Sequence, residues 1–179
     1  DYLFGKISGI ASEYGVSYIK WDMNRETPHP GSRGRGAMHQ QTRAVYRLMD
    51  ALREAHPVLE IESCSSGGGR ADYGVLKRTD RIWTSDNNDP HDRQTIERGA
   101  SHFFPLQVMG SHVGPKHCHT TRRTYSMEFR AGTALFGHMG LELDLAEETP
   151  RDLKILTKAI ALYKRHRELL HGGDFLRLE

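Results

Sequence analysis

Cysteine is scarce: the 179 residues contain only Cys64 and Cys118, in unrelated contexts. No disulfide framework is expected, and a reducing, cytoplasmic setting is the default. An excess of one charge is lacking too. The 25 basic and 23 acidic residues leave a formal net charge of +2. A nucleic-acid or membrane-surface protein usually carries a basic excess, so neither partner is expected. No apolar run approaches the roughly 20 residues of a membrane span. Neither an initiator methionine nor a leader is visible; residue 1 is Asp and the first residues already read as helix. The chain is therefore expected to be cut from something longer. Low-complexity segments are absent, and the length suffices for one domain with a sizeable core.

What is there is an alternation of helical and strand patterns. Leu3, Ile7, Ile10, Ala11 and Tyr14 share a helical face that stops at Gly15. Val16 to Trp21, β-branched and aromatic, reads as a strand. Pro28, Pro30, Gly31, Gly34 and Gly36 read as a long irregular loop. A helix over about 40–55 turns Ala44, Leu48, Met49 and Leu52 inward and ends before Pro57; Val58 to Ile61 is the next strand. Strand patterns return at 81–84, at 103–109 with Pro105 among its first residues, and at 139–143. Helical patterns lie between them at 92–102 and 126–136. The last helix has Thr149 as N-cap, Pro150 at its first position and Asp152 in its first turn, and runs to Gly172 and Gly173.

This alternation predicts an α/β fold of parallel βαβ units, with any chemistry at the C-terminal ends of the strands. Five strands with their helices fit. A complete (β/α)8 barrel takes about 250 residues and does not.

Three strand ends carry candidate chemistry. In the first, Lys20, Asp22 and Asn24 fall on one side of an extended chain. A carboxylate between an ammonium and an amide stays ionised and oriented, as a nucleophile or general base requires; a strand-end Asp that merely caps a loop has the same spacing. The second runs through Cys64 to Gly67, Gly68, Gly69 and Arg70. Its glycines allow close approach of a ligand to backbone amides, or simply a tight turn. A phosphate loop is disfavoured, because no Lys-Ser/Thr follows the glycines. Cys64 reads as a buried small hydrophobe or as a nucleophile. The third holds Asp86 and Asp89 in an Asn-rich stretch that lacks the Gly and Glu of a calcium loop; Asx turns are the alternative. Asp22 and Asp86 lie at the ends of strands two apart, which in a barrel would face one mouth. His112, His117, Cys118 and His119 could bind zinc, but no second pair stands at finger-like spacing.

Four strings in this order, Y-I-K-W-D-M-N-R (18–25), S-C-S-S-G-G-G-R (63–70), W-T-S-D-N-N-D (83–89) and F-R-A-G-T-A-L-F-G-H-M-G (129–140), resemble glycoside hydrolase family 36 α-galactosidases. The resemblance covers essentially the whole chain. It implies a partial (β/α)8 barrel, about strands 4 to 8, over residues 1–171. Residues 172–179 would begin the link to a C-terminal β-domain. It makes Asp22 the nucleophile and Asp86 the acid/base of a retaining enzyme. Lys20, Asn24, Cys64 and Gly67 become galactose contacts. No metal or organic cofactor is implied. The expected partner is an α-galactoside oligosaccharide, and the full-length protein is expected to be a homo-oligomer.

Two departures stand out. Asn88, Asp89 and Pro90 replace the family's common T-D-A, and the early barrel strands that supply an acidic pair and an Arg to the pocket are missing. The alternatives are a raffinose-synthase-like galactosyl transferase, an α-N-acetylgalactosaminidase, or a truncated sugar-binding fragment without turnover.

Overall fold

In the computed structural model, which describes residues 1–25, 31–32 and 34–176, helices and strands alternate as the pattern predicts. The chain divides into two units, Asp1–Ile82 and Trp83–Glu179.

In the first unit, helix α1 (Tyr2–Tyr14) ends at Gly15, whose left-handed backbone (φ 62°) lets its N–H reach the Ala11 carbonyl. Of the apolar face anticipated for this helix only Ala11 is buried; Leu3, Ile10 and Tyr14 are exposed. Strand β1 (Tyr18–Asp22) alternates, with Tyr18, Lys20 and Asp22 the more exposed side and Ile19 and Trp21 half-buried. Part of the long loop is instead a hairpin, β2 (Gly31–Ser32) antiparallel to β3 (Arg35–Gly36). Pro28 and Pro30 lie outside the described residues. Helix α2 (Met38–Ala55) buries Met49 and Leu52. Strand β4 is Glu60–Cys64, so it starts two residues later than the Val58–Ile61 pattern indicated. The His56 carbonyl takes the Leu59 N–H in a turn, which leaves Val58 81% exposed. β4 runs parallel to β1 in a register that pairs Tyr18 with Glu60, Lys20 with Glu62 and Asp22 with Cys64. A short helix α3 (Tyr73–Leu76), which the sequence pattern did not reveal, is capped by Asp72, whose carboxylate accepts the Val75 N–H at 2.7 Å. Strand β5 (Arg81–Trp83) places Arg81 and Ile82 beside Glu62 and Ser63, again parallel.

The second unit holds α4 (Pro90–Ala100), β6 (Met109–Val113), α5 (Met127–Thr133), β7 (His138–Leu141) and α6 (Pro150–Gly172). β6 and β7 pair in parallel, Gly110 with His138 through Val113 with Leu141. The strand expected over 103–109 is not formed. Phe103 and Phe104 donate their amides to the Ala100 carbonyl and close α4, and Pro105 opens a single 3-10 turn at Leu106–Val108. Only then does the chain extend, so the strand starts six residues later than the pattern indicated and ends four residues beyond it. Val113, Met127, Ala131, Ala134 and Leu156 form the core, flanked by Met139, Leu143, Ile155 and Ile160. Ser126 and Thr149 cap α5 and α6 through their side-chain oxygens. Gly173 ends α6, and residues 177–179 lie outside the described residues. Among the described residues no helix is long and apolar enough to cross a membrane.

One buried ion pair braces this unit. Arg130 donates to both Glu148 oxygens at 2.7 and 2.9 Å and to the Gly114 carbonyl at 2.8 Å. Its side chain is 1% exposed and that of Glu148 4%. Removing one partner strands the other charge in low dielectric, whereas removing both does not. Glu148→Ala is expected to cost about 3–5 kcal/mol and Arg130→Met with Glu148→Leu much less. Denaturant midpoints of the two variants against the parent check this; equal losses would contradict it.

Candidate active site

The register of β1 on β4 builds the first cluster. Asp22 is exposed at the end of β1, and its Oδ2 accepts the Asn24 amide N–H at 2.9 Å. The thiol of Cys64, opposite Asp22 in the pair, also donates to that carboxylate. Asn24 is itself fixed, since its Oδ1 accepts the Ser66 N–H at 2.7 Å. The loop after β4 turns through Ser66 (φ 48°) and Gly67 (φ 78°), a left-handed pair that a glycine makes affordable at its second position. This turn aims the Gly67 N–H at the Cys64 sulfur. Ser65 Oγ and Arg70 Nη2 tie the loop to the Met23 carbonyl at 2.8 and 3.2 Å.

These bonds bear on two questions the sequence left open. Ser65 N–H donates to the Gly67 carbonyl, Gly69 N–H to the Ser65 carbonyl and Ser66 N–H to Asn24 Oδ1, which is the bonding of a tight turn. Burial pushes the Cys64 thiol up to about 11; the Gly67 N–H pulls the other way, and the bond to Asp22 raises it again. A thiol held protonated serves as a hydrogen-bond donor, not as a nucleophile.

The sequence-predicted residues Lys20, Asp22, Asn24, Cys64 and Gly67 all stand at these adjoining strand ends in the first unit. Lys20 brings a partner that sequence reasoning did not single out. Its ammonium lies 3.7 Å from Glu62, a carboxylate 1% exposed. The period of two along β4 was the available signal, since Glu62 and Cys64 must share a side.

Asp86 lies in the second unit, exposed at a bend after β5. The loop around it is made of Asx-type turns: Asn87 N–H donates to Ser85 Oγ at 3.1 Å and Asp89 N–H to Asn87 Oδ1 at 3.0 Å. Beneath it lies Arg93, 1% exposed, with its guanidinium 3.7 Å from the Trp83 ring centroid. Arg93 donates to Thr84 Oγ1 at 2.7 Å and to the Ser85 carbonyl at 2.6 Å, pinning the backbone just before Asp86.

Asp89 has a different task. Fully buried, it caps α4 by accepting the His91 and Asp92 amides at 2.9 and 3.2 Å, the Thr121 hydroxyl, and Arg123 Nη1 at 3.5 Å. Burial pushes its carboxyl up, but these donors outweigh burial and hold it below the usual carboxylate value. Such a group cannot stay protonated to donate a proton near neutrality. Asp89 is thus occupied as a helix cap, and the exposed carboxylate of this loop is that of Asp86.

The histidine-rich segment is not gathered around a point. His112 stacks on Trp83 at 4.1 Å and sets Nδ1 2.8 Å from Glu142, while His117 Nδ1 lies 3.2 Å from Thr124 Oγ1. Among the described residues, the atoms close enough to hold an ion belong to Asp89, His91 and Asp92, where the Arg123 cation already sits 2.9 Å from Asp92.

The Melibiase family model matches residues 1–173. An alpha-galactosidase of Escherichia coli is 50% identical over 179 residues, all of this chain and 25% of its own length. Alpha-galactosidase AgaA of Geobacillus stearothermophilus is 36% identical, over 99% of this chain and 25% of its own. A crystal structure of a GH36 alpha-galactosidase AgaA variant with 1-deoxygalactonojirimycin superposes with a TM-score of 0.94 at 36% identity, covering 100% of this chain and 26% of that one. The chain thus spans about a quarter of the length of these relatives. It has the α/β fold of part of a (β/α)8 barrel, and the resemblance to glycoside hydrolase family 36 is borne out.

Two outcomes are expected from this geometry. Native Cys64 should resist iodoacetamide at pH 8 and react once the protein is unfolded, as mass spectrometry of the labelled peptide reports; rapid native labelling would contradict the protonated, buried thiol. Asp89→Asn should destabilise the protein by about 1–3 kcal/mol near pH 7. Because the folded-state value of Asp89 is depressed from 3.8, its contribution is complete above that pH and is lost as pH falls through the folded value. The gap between parent and variant in denaturant unfolding should therefore narrow on acidification below 3.8; a constant gap would contradict it.

Proposed function

The chain belongs to the Melibiase family, and from that premise we propose that it is part of a retaining α-galactosidase that hydrolyses terminal α-D-galactosyl residues of oligosaccharides. Asp22 is its nucleophile and Asp86 its acid/base. Asp22 attacks the anomeric carbon while protonated Asp86 gives its proton to the departing glycosidic oxygen. A galactosyl-enzyme ester forms; Asp86 then takes a proton from water, the water oxygen bonds to the anomeric carbon, and Asp22 leaves with its electron pair. Lys20, Asn24, Cys64 and Gly67 bind and orient the sugar. The two buried thiols favour work in a reducing, cytoplasmic setting.

One observation carries the reading. The Asp22 carboxylate is exposed, yet it is aimed by two donors, Asn24 and Cys64, that are themselves anchored. A carboxylate that merely capped its own loop would accept backbone amides, as Asp89 does. An exposed, preoriented carboxylate is what nucleophilic attack on a sugar needs. The substrate class is supported by AgaA variants solved with raffinose and with stachyose.

The test uses the complete enzyme that carries this segment. Asp22→Asn should lower kcat at least about 10³-fold on nitrophenyl α-galactoside while galactose binding persists. Asp86→Asn should slow raffinose far more than the nitrophenyl substrate, whose leaving group needs little protonation. Equal losses on both substrates, or Asp89→Asn reproducing the leaving-group dependence in place of Asp86→Asn, would reject the assignment.

A further inference from the structure

Glu62 is buried to 1% exposure in the middle of β4, yet its Oε1 makes no hydrogen bond among the described residues. A buried carboxylate with an unsatisfied oxygen is costly, and a core that needed only filling would hold an apolar side chain there. The surroundings give the carboxylate a use. It stands opposite Lys20 in the parallel register, with Oε1 3.7 Å from Nζ, and it accepts the Tyr18 hydroxyl, whose own proton burial and the Glu62 charge make hard to remove. Tyr18, Lys20 and Asp22 follow one another along the same side of β1. A lysine is a point charge on a flexible stem, and only a fixed counter-charge gives it a fixed place.

We propose that Glu62 is a positioning residue. Its carboxylate, immobilised by burial and by Tyr18, sets the Lys20 ammonium beside Asp22, where it meets a galactose hydroxyl. This rests on the galactosidase reading above.

The test is a double-mutant cycle in the complete enzyme with nitrophenyl α-galactoside. Glu62→Gln keeps the shape and removes the charge. It should raise KM about tenfold with kcat within about twofold, and the effect should vanish in a Lys20→Met background. Tyr18→Phe, a gentler change, should raise KM about two- to threefold and also lose its effect in Lys20→Met. The same fold losses with and without Lys20 would make Glu62 a merely structural residue and overturn the proposal. A wild-type enzyme inactive on every α-galactoside would instead reject the galactosidase reading. The crystal structure of Glu62→Gln then decides: Lys20 Nζ displaced by more than about 1 Å supports positioning, and an unmoved Nζ overturns it.

Discussion

The parallel pairing of β1 with β4 is the constraint on which the candidate site depends. It sets Asp22 opposite Cys64 and Lys20 opposite Glu62, so that two strands distant in sequence present one group of side chains. A slip of one residue would turn the whole set over and bring Ile19 and Trp21 to that side. The register is held by what is buried: β4 is inaccessible from Ile61 to Cys64. At the foot of the pair, Arg81 forms an ion pair with Glu60. Everything polar at the strand ends is then a consequence, from the thiol donating to Asp22 to the Asn24 amide held by the loop after β4.

The second unit solves a related problem with different means. Its loop carries two aspartates three residues apart, and local structure gives them opposite characters. Asp89 is consumed as a helix cap with four donors around it, which fixes the start of α4. α4 in turn carries Arg93 back under the loop, where it grips the Thr84 hydroxyl and the Ser85 carbonyl. Asp86 is left exposed on a backbone that cannot wander. Pro90 follows the Asp89 cap at the first position of the helix, where its missing N–H costs nothing.

Much of this was legible in the sequence. The helix ending at Gly15, the capped helix from Thr149 and the candidate residues at the strand ends follow from periodicity, capping chemistry and alternation. Three features were not. The strand expected at 103–109 failed because local pattern cannot weigh a 3-10 turn at Leu106–Val108 against extension through Pro105. The helix α3 is a single turn and too short to show a period. The partnership of Glu62 with Lys20 depends on cross-strand register, which no single strand encodes.

The central claim is that Asp22 bonds to the sugar, and trapping the intermediate tests it most directly. A fluorinated galactosyl donor that reacts quickly and turns over slowly should leave one galactosyl adduct on the complete enzyme. Peptide mapping by mass spectrometry should find that adduct on the segment 18–25, at Asp22. An adduct on any other residue, or steady turnover of an ordinary α-galactoside with inversion at the anomeric carbon and no adduct, would contradict the account.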